Sequence, residues 1–374
     1  MLSVLQHAVR RRRGREQARL AAQLHAGAVA DRDAGRLSPA LAAAERALKI
    51  IEHAPGEFST DAAVVCNTIG TIREAMCDYD GAGSAYRRAA AILDQDDDTV
   101  VPARITVTAS TARLHRILGR LDAAERLYLA AITAAATRYG TGAVEVATLL
   151  NDLAVVYKYA ARYADAEALY RRALGIIEAA RGPDHIDAAT IWHNLGGVEH
   201  ARGRFGDGEI YARRSVQIRE TVLGPNHVAV AADLAALAAL VQEQQRSDEA
   251  ETLYRRAIAI FEAAFGPIHY ELGVNYNNLA ALHAARGNLR DAENLYQRAL
   301  DIKQRLLGHN HPDVAMTLHN LAVLYTQQGD DDRARDLFAR AVGIFESSLG
   351  PEHPKTARTR TELNALPHRD TPRA

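Results

Sequence analysis

Histidine is the first residue type in this chain whose spacing suggests chemistry. His185, His227, His269, His311 and His353 recur every 42 residues. Four of them close a Gly-Pro-x-His string: Gly182 to His185, Gly224 to His227, Gly266 to His269 and Gly350 to His353. Imidazole is the commonest protein metal ligand, so a metal is the first chemistry to test. A zinc site needs ligands about 2 Å from one ion. Equivalent positions in stacked helical layers lie two helix spacings apart, each of about 8–10 Å. These histidines cannot converge, and their recurrence predicts loop packing or capping. A second group is His193 and His200, seven residues apart and so on one helical face. Joined by a residue of a neighbouring segment, they have the makings of an ion site or an acid–base pair. The chain has no HExxH, no GxSxG elbow, no GxxxxGK[ST] loop and no matched metal-ligand spacing. The expectation is no catalytic residue, no metal and no cofactor. An enzyme or metalloprotein built around His193, His200 and His319 is the least favoured of three readings.

The elements that carry these residues follow from the same period. A small column reads Ala40, Ala82, Ala124, Ala166, Gly208, Ala250, Ala292 and Ala334. A second reads Ala47, Ala89, Ala131, Ala173, Ser215, Ala257, Ala299 and Ala341. Between them stand Tyr86, Tyr128, Tyr170, Tyr254, Tyr296 and Phe338, with Ala44 and Ala212 as exceptions. A fixed period without insertions predicts an α-solenoid rather than a globular domain.

In residues 312–353 the apolar positions Val314, Leu318, Leu321, Ala322 and Tyr325 have helical spacing, and Gly329 breaks the pattern. Ala334, Leu337, Phe338, Ala341, Ile344 and Phe345 form a second helical stripe, ended by Gly350-Pro351. Each block is therefore helix A, a short turn, helix B and a longer loop. Gly35, Gly119, Gly203, Gly287 and Gly329 mark the turns. Gly56, Gly140, Gly182, Gly224, Gly266, Gly308 and Gly350 mark the block ends. Ser38-Pro39 predicts an N-cap and N1 proline for one B helix.

The expected organisation is a basic segment at 1–17, eight blocks over 18–353 with the first two or three atypical, a capping helix at 354–366 and a disordered tail at 367–374. Ala44 and the acidic run Asp94-Gln95-Asp96-Asp97-Asp98 are the atypical features near the start. Arg10-Arg11-Arg12-Arg13 suggests a solvated first helix, with contact to acidic lipid or nucleic acid as the lesser reading.

Net charge is −1, which argues against nucleic-acid binding as the main role. Cys66 and Cys77 cannot build a disulfide framework, which fits a reducing, cytoplasmic setting. No apolar run approaches the roughly 18 residues of a membrane span, and no signal peptide is expected. The Ala- and Arg-rich, Lys-poor composition suggests a bacterial source. Oligomeric state is left open.

The layout of Leu321-Ala322 and Tyr325, then Gly329, Ala334, Phe338 and Ala341, resembles the tetratricopeptide repeat. The usual period is about 34 residues. The longer period here, with Asn277-Asn278-Leu279-Ala280, Asp291-Ala292-Glu293, Leu295-Tyr296, Ala299-Leu300, Leu307-Gly308 and His311-Pro312, is similar to the kinesin light chain subclass. The resemblance implies an all-α, right-handed superhelical solenoid of helix-turn-helix repeats that binds protein or peptide along a concave groove.

It also implies which residues face that groove: Asn151-Asp152, His193-Asn194, Asn277-Asn278 and His319-Asn320, just before the core leucine of helix A. Asparagine can meet both the donor and the acceptor of a peptide backbone, though hydrogen bonding between repeats is the competing explanation. Ala235-Ala236 interrupt the series and, with Ala232 and Ala239, leave a smooth apolar patch. Arg113, Arg116, Lys158 and Tyr159 lie on the same inner face, so an acidic ligand segment is expected there unless local carboxylates already pair these charges. His200 belongs to the same face, and Trp192 reads as core. The leading function is a non-catalytic protein- or peptide-binding scaffold. A regulatory sensor of a small molecule or short signalling peptide comes second.

Overall fold

Helical spacing and positive-φ breakers produce a chain of paired helices. The computed structural model describes the backbone of residues 2–53, 59–94 and 97–367, and the side chains of these from residue 16 except Ser59. The side chains of Arg10 to Arg13, together with Gly56, Gln95, Asp96 and the tail from His368, lie outside the described residues. Two compact units are present, the first ending at Pro183 and the second starting at Asp184.

The first unit holds α1 (Leu2–Asp33), α2 (Leu37–His53), α3 (Ser59–Ala75), α4 (Tyr79–Ile92), α5 (Val101–Ile117), α6 (Leu121–Tyr139), α7 (Val144–Tyr159) and α8 (Tyr163–Arg181). A 3-10 turn at Asp98–Val100 precedes α5. The second unit holds α9 (Ile186–Ala201), α10 (Phe205–Leu223), α11 (Val228–Glu243), α12 (Ser247–Phe265), α13 (Tyr270–Ala285), α14 (Leu289–Leu307), α15 (Pro312–Gln328), α16 (Asp331–Leu349) and α17 (Pro354–Ala365). No strand occurs among the described residues. Within each unit consecutive helices pack on one another, and most neighbouring odd helices also touch. Helix α1 runs unbroken across the expected boundary at residue 17.

The repeat columns are the core. Every member of the two small columns is buried, and the aromatic column from Tyr86 to Phe338 is at most 4% exposed. In the fifth pair, Ala212 stands where the aromatic is missing, and the helices close up. A Cβ on Gly196 would meet the Gly208 carbonyl oxygen at 3.2 Å, and one on Gly208 would meet Leu240 Cδ2 at 2.7 Å. The aromatic mass moves aside: Trp192 packs on Tyr211 with ring centroids 5.4 Å apart. Trp192 is thus half-buried rather than fully core.

The two glycine columns turn out to be different devices. Each A helix ends in a Schellman motif: the N–H of residues 36, 78, 120, 162, 204, 246, 288 and 330 reaches the carbonyl five residues back at 2.8–3.2 Å. The residue before each is left-handed. Where it is not glycine, Cys77, Ala161 and Gln245 take φ of 60°, 58° and 62°. At the block ends, glycines adopt φ of 77° to 93° with ψ near 155° to 180°, a region only glycine visits freely.

The loop histidines follow, and they cap. Nδ1 of His185, His227, His269, His311 and His353 accepts the backbone N–H two residues on, at 3.1–3.3 Å. Each satisfies one orphan donor of the next A helix. Ser38 does not cap: α2 starts at Leu37, and its first helical bond goes to the Arg36 carbonyl, so Ser38 lies inside the first turn.

Candidate functional site

In the first unit, Arg113 and Arg116 come from the last turn or so of α5, Lys158 and Tyr159 from the end of the neighbouring α7, and Asn151 and Asp152 from the middle of α7. Arg113 is already neutralised. Its Nε donates to Glu74 at 2.7 Å, and Glu74 also accepts the Tyr86 hydroxyl at 3.0 Å. The expectation that Arg113 stands ready for an acidic ligand is therefore corrected: a carboxylate 39 residues earlier holds it.

Arg116 and Lys158 differ. Both are half-buried, and neither makes a hydrogen bond or ion pair among the described residues. The Arg116 guanidinium lies 5.4 Å from the ring centre of Tyr159, a tyrosine that is 66% exposed. Burial pulls the Lys158 ammonium below its ordinary pKa, with no carboxylate offsetting it. Burial pushes the Asp152 carboxyl up, against the Asn151 hydrogen bond and the charges of Arg113 and Arg116.

Behind this face, the Tyr170 hydroxyl is fully buried without a partner among the described residues. Tyr86, one of the same column, gives its hydroxyl to a carboxylate. Opposite effects are expected from one chemical change. Tyr170→Phe removes an unsatisfied group and should leave stability unchanged or raise it by about 1 kcal/mol. Tyr86→Phe removes a charge-assisted bond and should cost about 1.5–3 kcal/mol. Urea unfolding of the two variants checks this, and equal losses would contradict the assignment.

In the second unit the polar positions are not equivalent to one another. Asn320 Nδ2 donates to Asn277 Oδ1 of the adjacent repeat at 3.2 Å. That is the inter-repeat explanation rather than a free clamp. Asn278 is half-buried and makes no such bond, while Asn194 and His200 carry further local interactions. His200 also meets Phe205 edge-on at 5.5 Å. His319 is 5% exposed, because α17 covers it: Nδ1 lies 3.0 Å from Thr359 Oγ1 and Nε2 lies 3.3 Å from Glu362. His319 is therefore closed to a ligand, contrary to expectation. No three His, Cys, Asp or Glu residues are placed to hold a metal among the described residues.

His193 has the most elaborate setting. Its Nδ1–H donates to Asp233 Oδ1 at 2.7 Å. Asp233 is completely buried and also accepts Arg219 at 2.6 Å and the Ser215 hydroxyl. Arg219 reaches on to Thr190 Oγ1 at 3.1 Å, and Ser215 to the Ala189 carbonyl at 2.8 Å. Sequence reasoning singled out His193 and missed Asp233 and Arg219. The signal was there in columns left unread. Asp233 follows Val65, Val107, Leu149 and Ile191; Arg219 follows Ile51, Leu93, Ala135 and Ile177, and only Lys303 later in its column is also charged.

The tetratricopeptide repeat profile matches residues 104–179, 187–263, 271–347 and 313–363, more than half of the chain. No curated protein matches the sequence. Among solved structures, a Rap protein complexed with Competence and Sporulation Factor aligns with TM-score 0.60 and 12% identity, over 92% of this chain and 96% of that one. RapI in its apo form aligns with TM-score 0.56 and 14% identity, over 76% and 98%. BtubC (BKLC) from P. vanneervenii aligns with TM-score 0.48 and 22% identity, over 74% and 97%. At such identities the likeness shows the fold alone.

Proposed function

The chain belongs to the tetratricopeptide repeat family, and on that premise we propose that it is a non-catalytic scaffold whose A-helix face binds an extended segment of a partner protein or peptide. An acidic part of that segment sits on Arg116 and Lys158, with Tyr159 beside it. The observation that carries this is the pair of half-buried cations without ion pairs on one face. Partial burial makes each charge costly, and an incoming carboxylate offsets that cost. The free thiols of Cys66 and Cys77 fit a reducing cytoplasm.

An arrayed peptide library probed with the full chain tests the reading. Acidic peptides should be retained, and Arg116→Glu with Lys158→Glu should weaken them by at least about tenfold, the size of a lost charge-assisted contact. Unchanged affinity would remove the acidic preference. No retained peptide at all would remove the groove reading. Saturation by a peptide of only a few residues, with no longer partner, would make the chain a sensor of a short signalling peptide.

A further inference from the structure

Three departures from the apolar pattern of the first unit meet at one point. Ser215 stands in a column otherwise of alanine, Arg219 in a column mostly of buried apolar residues and Asp233 in a column that is apolar through the first unit. Ser215 and Arg219 both donate to the Asp233 carboxylate, and that carboxylate holds His193. In the first unit the same positions hold only alanine, valine, isoleucine and leucine, whereas later in the second unit Lys303 and Thr317 stand in place of Arg219 and Asp233 and bond each other at 3.0 Å. Packing therefore does not demand this cluster, and burying a charge is costly. What the cluster delivers is the orientation of one imidazole.

The chemistry of that imidazole is fixed by its neighbour. A carboxylate only accepts, so Nδ1 carries a proton, and in the neutral ring Nε2 is left with the lone pair. The His193 side chain is 34% exposed, and Nε2 has no partner among the described residues. On the adjacent helix α11, the corresponding positions are Ala232, Ala235, Ala236 and Ala239, all half-buried and too short to reach across.

We propose that His193 is the residue by which the second unit reads its ligand: a single-tautomer acceptor, aimed by Asp233, that takes a hydrogen bond from a backbone N–H of a bound peptide. Asp233, Arg219 and Ser215 are positioning residues. The inference rests on the peptide-binding reading above, and its test has one arm that needs no ligand.

In the full chain labelled with ¹⁵N-histidine, and with His193 assigned from His193→Ala, the resonances should show Nδ1 protonated and Nε2 bare. An Nε2-protonated ring would overturn the proposal. In the second arm, peptides retained by the array are N-methylated one position at a time. One methylation should weaken binding to the natural chain about tenfold, the value of one hydrogen bond, and leave binding to His193→Ala unchanged. Equal losses in both proteins, or no sensitive position, would overturn it while leaving peptide binding intact. Failure of every peptide to bind would instead strike the groove reading itself.

Discussion

Asp233→Ala should destabilise the second unit by about 3–5 kcal/mol, the usual cost of removing one partner from a buried ion pair. The loss is large because Asp233 is fully buried and Arg219, only 12% exposed, is left with its charge uncompensated. His193 loses its acceptor at the same time, while Ser215 keeps the Ala189 carbonyl. The opposite outcome is expected when the whole cluster is replaced by what the repeat uses elsewhere. Ser215→Ala, Arg219→Ile and Asp233→Leu together should be neutral or stabilising by up to about 4 kcal/mol, since no charge is then left buried. Trp192, the single tryptophan, lies on α9 beside the cluster and reports unfolding of this unit by fluorescence. A single-substitution loss below about 1 kcal/mol would show that the carboxylate is not load-carrying in this way. A triple variant as unstable as the single one would show that the columns are not interchangeable.

The contrast explains which features a reader of the sequence can see. Alanine and tyrosine columns are legible because they encode size at a fixed spacing, and size is all that close helix packing requires. The histidine loops are legible as caps for the same reason: each acts on its own helix, two residues away. Pairings across repeats are different. Arg219 meets a residue 14 positions on, His193 one 40 positions on, and Arg113 one 39 positions back. None of these offsets equals the period, so reading down one column never brings the partners together. His319 fails for a related reason. Its column places it with His193 and Asn277, yet Thr359 and Glu362 of α17 take up both its ring nitrogens. The inner-face list is therefore silent about which of its positions are already satisfied by a neighbouring repeat.

The two positive-φ columns predict opposite responses to mirror-image substitutions. Gly224 ends α10 with φ 87° and ψ 156°, and a Cβ there would meet nothing within 4 Å. Gly224→Ala therefore tests backbone conformation alone. An alanine in that region is strained by about 1–3 kcal/mol, so the variant should lose that much. Gln245 follows α11 with φ 62°, in the left-handed region that side chains enter at a cost of roughly 1–2 kcal/mol. Gln245→Gly relieves that strain but adds flexibility to the unfolded chain, which takes back about 0.5–1 kcal/mol. A net gain of up to about 1 kcal/mol should remain. The Schellman bond from Arg246 N–H to the Val241 carbonyl, 3.2 Å against 2.8–2.9 Å in the other repeats, should tighten when the strain is released. Chemical denaturation of the two variants and slowed amide exchange at Arg246 in Gln245→Gly check both halves. A stabilising Gly224→Ala, or a Gln245→Gly that loses as much as it does, would mean that the two columns are not conformationally distinct.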